Sequence, residues 1–539
     1  MPKILPVHAP IDGEMVPLCR VPDPVFSERM LGDGLAIDPT GDTIVAPFDG
    51  KIVNFNPALH AFTIEHDGIE LLIHVGVETV MLNGEGFSPL VCEGDKVKQG
   101  QPLLQFHPTF LTQRLSCAYV ILVITSPLEA KITPLVSQGA VTTGSPIFTV
   151  GVVPPSALPA AIVSTPENTQ DLLLSNVRLF DQPGKTVSLR VQNGKIQEII
   201  PGRTEQIGQV EGRGAYVAPG LIDLHIHGFG GFGPELGTAD GLLQMSQALL
   251  KQGVTSFCPT LYCGQPKDME NLLRTLSPVV GTETGARILG FHLEGPFISP
   301  KKPGVMKPED IASADVEVFK RLYEAAQGKI TSMTLAPEVP GIKPVIDFCC
   351  QHNILLQAGH TNATYEEMEQ AKALGVHHVT HFCNAMSPFH HRAPGALGAT
   401  LMDNDFSCEV VADGVHVNPT IVSFLHRVKP LQNIVLVTDA LLPTAQPNGP
   451  FFANGEEVVL EGGVWHRKAD NVIAGSALTM LQGVKNLVAW GYPLADALLC
   501  ATANPARLLG RSDLGVLQEG AAADLILLDK NLNLQKVIH

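Results

Sequence analysis

A chain of 539 residues, 45% apolar and 17% charged, is too long for one ordinary core and rich enough in apolar side chains to build more than one. Its formal net charge of −17 disfavours nucleic acid and anionic membranes as partners, because both select basic surfaces. Phosphorylated small molecules remain open to it, since they need only one local basic site. The opening MPKILPVHAPIDGEM lacks the basic and apolar regions of a signal peptide, and no run approaches the roughly 18 apolar residues of a membrane span. The ten cysteines form no CxxC pair and no evident disulfide framework, as a reducing compartment permits. The expectation is a soluble, cytoplasmic protein.

Residues 1–153 read as all-β. Short alternating runs such as GDTIVAPFDGKIVNF, HAFTIEHDG and IELLIHVGVETVML are punctuated by Gly, Pro and Asp turns, the pattern of a sandwich or barrel. His60 opens the strand HAFTIEH, and His74 sits among aliphatics in ELLIHVG. A lone histidine in an apolar strand is usually a core or edge residue. A neutral imidazole in an apolar patch is also a good phosphoryl acceptor, nucleophilic near neutral pH and shielded from water. The runs VFSERMLGDGLAIDPTGDTIVAPFDGKI, HAFTIEHDGIELLIHVGVETV and LNGEGF closely resemble the glucose-family IIA component of the bacterial sugar phosphotransferase system. That resemblance implies an antiparallel β-sandwich with His74 as the phosphorylated residue and His60 assisting from the facing strand. It also implies the phosphocarrier HPr as donor and a IIB domain of a membrane permease as acceptor.

Residues 154–170, PPSALPAAIVSTPENTQ, read as a linker stiffened by prolines. From 171 a few strands come first (DLLLSNVRLF, VSLRVQNGKIQEII), and then strands alternate with helices expected at 239–252, 267–277, 309–327, 341–352, 364–375, 418–428 and 479–490. That many βα units over 223–449 is the size of a (β/α)₈ barrel. After 450 the strands return (FFANGEEVVLEGGVWHRK, then GVLQEGAAADLILLD). The segments 171–222 and 450–539 are therefore expected to pair into a small flanking β domain with C-terminal helices.

In such a barrel, residues at the C-terminal strand ends share one site. Histidines and acids recur there. His225 and His227 in GLIDLHIHG are two apart and project to one face. Glu294 ends FHLEG, His360 ends ILLQAGH, His381 lies in HVTHFCNAM, and Asp439 is the only carboxylate of IVLVTDA. Glu294, His360 and His381 offer one acid and two imidazoles to a divalent metal such as Zn²⁺ or Fe²⁺. His225 and His227, with Glu294 bridging, offer a second position. Asp439 is placed to act as acid and base in hydrolysis of an amide. Asn384, Ala385, Arg392 and His416 follow two of these strands, where basic and amide groups suit a phosphate, although an ordinary solvated loop reads the same on spacing alone.

The segments APGLIDLHIHG, HLEGPFISPKKPG, AGHTNATYEE, THFCNAM, RAPG, ADGVHV, LVTDA and ATANPARLLG resemble the N-acetylglucosamine-6-phosphate deacetylases of the amidohydrolase superfamily, over nearly all of 171–539. The resemblance implies metal ligands Glu294, His360 and His381, acid/base Asp439, and sugar-phosphate contacts at Asn384, Ala385, Arg392 and His416. It further implies a homodimer formed through the barrel, with a basic residue lent to the phosphate site by the neighbouring subunit. Two features depart from the common pattern. The HxH pair, which some members lack, is present. The histidine usual two residues after the glycine of the KKxG loop is Met306, which has no hydrogen to donate to a developing oxyanion. Two alternatives follow: a different substrate, such as an N-acetylgalactosamine phosphate or a cyclic amide, and a first domain that serves as a phosphorylation-dependent regulatory binding module.

Overall fold

The computed structural model describes residues 3–27, 33–56, 58–66, 69–77, 79–82, 84–115, 117–125, 130–135, 139–152, 162–164, 172–204, 210–446 and 449–539. The chain forms two compact units, 1–159 and 160–539.

The first unit is antiparallel throughout. Its main sheet runs in the order Ala140–Val141, Gly13–Val16, Asp33–Pro39, Val120–Ile124, Ile69–Val75, Ala61–His66, Gly50–Phe55 and Lys96–Val97, and two three-stranded sheets complete it. Period-two patterning decides which side chains meet the core. Along Ile69–Val75 the residues Ile69, Leu71, Ile73 and Val75 are buried, so the intervening Glu70, Leu72 and His74 lie on the other face. Val120–Ile124, in mid-sheet, is buried at every position and covers both faces.

The second unit holds a parallel barrel of eight strands: Leu221–Ile226, Val254–Leu261, Phe291–Glu294, Ile330–Leu335, Leu355–Ala358, His378–Val379, Ser407–Val411 and Ile434–Val437. The outer faces of its strands and the surrounding helices form the largest apolar core among the described residues. The seam between the last strand and the first is closed near the C-terminal rim. There the Asp439 amide donates to the His225 carbonyl and the His227 amide to the Ala440 carbonyl, both at 2.9 Å. Below them the buried Asp223 carboxylate accepts from the Thr438 hydroxyl (2.6 Å), the Thr438 amide (3.2 Å) and the His225 amide (3.3 Å). Burial raises this carboxyl to about 7 despite those bonds.

The opening and closing strands pair as expected, Tyr216–Pro219 antiparallel to Leu525–Leu528. The strands at 451–476 do not join them. Phe451–Ala453, Glu456–Glu461, Val464–Arg467 and Ile473–Ser476 form a four-stranded sheet of their own. The reason is local: Asn454-Gly455 (φ 50° and 72°) and Gly462-Gly463 (58° and 85°) supply left-handed two-residue turns that fold the first three strands onto one another, and the short segment 468–472 brings the fourth back. Most of the expected linker lies outside the described residues, but Ile162–Ser164 within it pairs parallel to Leu534–Ile538.

Six of the seven expected helices lie within a few residues of their predicted bounds. The one expected at 309–327 is shorter, Val316–Ala325, because Asp315 caps it by accepting from the Glu317 amide. An additional helix, Gly395–Met402, escapes sequence patterning because GALGATLM is buried along most of its length and has no polar stripe. Among the described residues no helix is long and apolar enough to cross a membrane.

Replacing Asp223 by Ala strips the seam of its acceptor and leaves buried donors on Thr438 unpaired. We expect a loss of about 2–4 kcal/mol in the second unit's unfolding transition, read by urea denaturation, with Asp223→Asn recovering part of it.

Candidate active site

The strand-end residues singled out above converge in space. His360 Nε2 lies 3.0 Å from Glu294 Oε1, His381 Nε2 lies 3.1 Å from the same oxygen, and the two imidazole nitrogens are 3.1 Å apart. Beside them, His225 Nε2 and His227 Nε2 are 3.4 Å apart. Asp439 Oδ1 lies 3.6 Å from the first of these and 3.5 Å from the second. Glu294 faces both groups, with Oε2 3.3 Å from His227 Nε2 and Oε1 3.6 Å from His225 Nε2. Glu294, His360 and His381 form one potential three-donor metal group, and His225, His227 and Asp439 form a second. The second group thus draws its acid from Asp439, a residue the sequence reading reserved for acid/base work.

The ring orientations test whether these donors fit a cation. His360 Nδ1 is held at the Lys302 carbonyl (3.0 Å) and His225 Nδ1 at the Glu409 carboxylate (3.0 Å). Donation from Nδ1 leaves each Nε2 with its lone pair turned inward, towards other lone pairs and carboxylate oxygens. Such a convergence is repulsive without a positive charge at its centre, and two imidazoles plus a carboxylate are donors suited to a divalent ion. Burial alone would raise the Glu294 carboxyl, but His227, His360 and His381 together hold it well below the usual range. Of the six side chains Asp439 is the most open, at 11% exposure against 0–6% for the others.

The backbone beneath three of these donors is left-handed, with φ 45° at His360, 23° at His381 and 51° at Asp439. L-residues rarely adopt that region, and it clusters at functional sites. Neighbouring contacts hold the turns. Glu338 accepts from the Thr361 hydroxyl (2.5 Å) and the Asn362 amide (2.6 Å), and the Thr361 amide donates to the Ala385 carbonyl (3.0 Å). The helix that follows opens with the expected capping box, Thr364 with Glu367.

A cavity of about 270 Å³ opens onto the donors. His416, Asn384 and Ala385 line it, as do Met306 and Tyr262. Val472–Gly475, from the four-stranded sheet, closes one side. Asp413 accepts from His416 Nδ1 at 2.5 Å, and its charge outweighs burial to raise that imidazole. Arg392 is not brought to this cavity. Residues 388–393 are exposed, and Arg392 Nη1 donates to His391 Nε2 at 2.9 Å.

Sequence reasoning missed Glu409 and Tyr262. Glu409, fully buried in the strand SCEVV, is the only charge in an apolar run, a signal that a partner must be waiting. Tyr262 stacks on the His227 ring with centroids 3.8 Å apart and planes 9° from parallel, for which no sequence signal exists.

In the first unit Ala61 pairs with His74 across adjacent strands, bringing the His60 and His74 rings to 4.9 Å in an edge-on arrangement. Phe26 lies 5.1 Å from His74 on another side. Burial first, and then the neighbouring His60, push the His74 pKa down to about 4.

An eight-stranded parallel barrel with paired donor sets at its strand ends defines a hydrolase barrel of the amidohydrolase class. The sequence matches that family over residues 216–538, and the chain belongs to the amidohydrolase family. Residues 5–129 match the EIIA 1 family of the phosphoenolpyruvate-dependent sugar phosphotransferase system, so the chain is a fusion of an EIIA domain with an amidohydrolase. It is 31% identical to N-acetylglucosamine-6-phosphate deacetylase of Lysinibacillus sphaericus, over 68% of this chain and 96% of that protein. It is 32% identical to N-acetylgalactosamine-6-phosphate deacetylase of Escherichia coli O157:H7, over 65% and 92%. Among solved structures, N-acetylglucosamine-6-phosphate deacetylase of Pasteurella multocida superposes with a TM-score of 0.63 at 29% identity, covering 68% of this chain and 97% of that one.

Because the folded His74 takes a proton only near pH 4 while the unfolded chain takes it near 6.5, its contribution to stability is full above pH 6.5 and lost as pH falls towards 4. A histidine NMR titration, with the signal assigned through His74→Gln, is expected to show a midpoint near 4 and a neutral ring at pH 5.5.

Proposed function

We propose that the second unit hydrolyses N-acetylglucosamine 6-phosphate to glucosamine 6-phosphate and acetate, and that the first unit relays phosphoryl groups from HPr through His74 to a permease IIB domain. The observation that carries the hydrolase reading is the convergence of Glu294, His360, His381 and Asp439 on one cavity, in a chain that spans nearly the whole length of relatives named as deacetylases.

Glu294, His360 and His381 would hold a divalent ion, Zn²⁺ or Fe²⁺, with a second at His225, His227 and Asp439. Bound there, it would supply Lewis-acid polarisation of the amide carbonyl and acidify water. Asp439 takes the proton as water adds to the carbonyl carbon, then returns it to the amine nitrogen as the C–N bond breaks. Its exposure, greater than that of its neighbours, suits a group that must meet water and substrate. Asn384, the Ala385 backbone and His416 face the cavity from one side and suit the sugar and its phosphate, His416 with its imidazole raised by Asp413. Arg392 points to solvent and would reach a phosphate only across a subunit boundary. Exposed Ile421, Phe424 and Val428, spaced along one helix face, with Phe389 and Met402 also exposed, support a homodimer through the barrel unit.

Met306 lines the cavity beside Val305, on the side where the usual pattern has a histidine. Together with the galactosamine-type relative, this favours testing the second epimer as substrate. For the first unit, the close His60–His74 pair and the depressed His74 pKa support a neutral nucleophilic imidazole, whether the phosphoryl group moves on to a IIB domain or marks a regulatory state.

Deacetylation of both phosphosugars is measured before and after chelation. Activity should vanish with the metal and return with Zn²⁺; failure of the reloaded protein on both sugars refutes the assignment. Asp439→Asn should lower kcat by roughly 10²–10⁴-fold while the Glu294, His360 and His381 position still binds metal. Met306→His should raise the rate on the preferred sugar. With phospho-HPr as donor, wild-type protein should become labelled and His74→Ala should not; labelling of the variant would refute the His74 assignment.

A further inference from the structure

Glu409 has no part in the chemistry above, yet it is fully buried and its ion-pair partners among the described residues are histidines alone. One of its oxygens, Oε2, accepts from three donors. His225 Nδ1 lies at 3.0 Å, the Thr380 hydroxyl at 2.7 Å and the His381 amide at 3.1 Å. The other oxygen lies 3.8 Å from His378 Nε2.

We propose that Glu409 is the positioning residue that turns the His225–His227 pair into a metal position. The inference rests on the two-metal reading above. A neutral imidazole offers a lone pair at one nitrogen only when its proton sits on the other. The carboxylate against Nδ1 fixes that proton there, since the opposite tautomer would aim a lone pair at a carboxylate oxygen. His225 Nε2 is thereby left free and aimed at His227 Nε2 and Asp439. A carboxylate in the barrel interior with no lysine or arginine beside it is costly, and a cation held by His225 on the far side of the ring balances it. The same oxygen holds the amide of His381, whose backbone is left-handed and whose Nε2 faces Glu294. One atom therefore ties the second metal position to a ligand of the first. The sequence offers the same link: the residue breaking the apolar strand SCEVV is an acid, in a chain that carries the HxH pair.

The test uses the full chain, stripped with a chelator and titrated with Zn²⁺ against a chromophoric competitor, with zinc per chain read by mass spectrometry. Wild type is expected to bind two. Glu409→Gln keeps the shape but removes the charge, and should retain the first zinc while binding the second roughly 10–100-fold more weakly. Glu409→Asp keeps the charge but shortens the reach, and should weaken the second zinc by a smaller factor. If both variants bind two zincs with wild-type affinity, the proposal is overturned while the two-metal reading stands. Equal weakening of both zincs overturns it in favour of a general structural role. A wild type that binds a single zinc overturns the two-metal reading and this inference with it.

Discussion

The second unit depends on how its barrel is closed. Parallel strands need a partner on both edges, and here the final edge is joined by the backbone at the proposed site: the Asp439 amide on the His225 carbonyl and the His227 amide on the Ala440 carbonyl. Asp223 reinforces the join from below by bonding to Thr438. First-strand imidazoles and last-strand carboxylate are therefore set side by side by strand register, and their separation is as firm as the sheet itself. A loop-borne acid would have no such constraint.

What was legible in the sequence follows from this. Strand-end positions in a barrel share a site whatever the packing details, so His225, His227, Glu294, His360, His381 and Asp439 are found by locating strands and reading their last residues. Residues on connecting loops follow no such rule. Asn384 and His416 do line the cavity, but Arg392, eight residues past Asn384, sits in a solvent-exposed stretch that nothing in its spacing distinguishes. The pairing of 451–476 departs from the expected one for a related reason. Patterning shows that a segment is strand, while the choice of partner was made by turn residues, Asn454-Gly455 and Gly462-Gly463, which favour the nearest neighbour in sequence. The buried helix Gly395–Met402 gave no periodic signal, because a helix covered on nearly every side has no polar face to alternate with.

The two units illustrate opposite uses of a histidine. His74 is kept neutral by an apolar setting and a second imidazole, which leaves it a free lone pair. His225 is surrounded by carboxylates, and although burial opposes it, Glu409 and Asp439 raise its pKa to about 10. Those carboxylates call for a positive charge at Nε2, which a proton or a metal ion in its place can supply. In each case the neighbours, more than the ring itself, determine the chemistry.

The left-handed backbone at His360, His381 and Asp439 bears on how such a chain can change over time. At each position glycine or asparagine would be the conformationally easier residue, so the backbone conformation does not itself call for the side chains that are there. Under the proposed function, their chemistry is what keeps them. A descendant released from catalysis would therefore be free to gain stability at the same three positions where it lost activity, and the barrel would outlive its site.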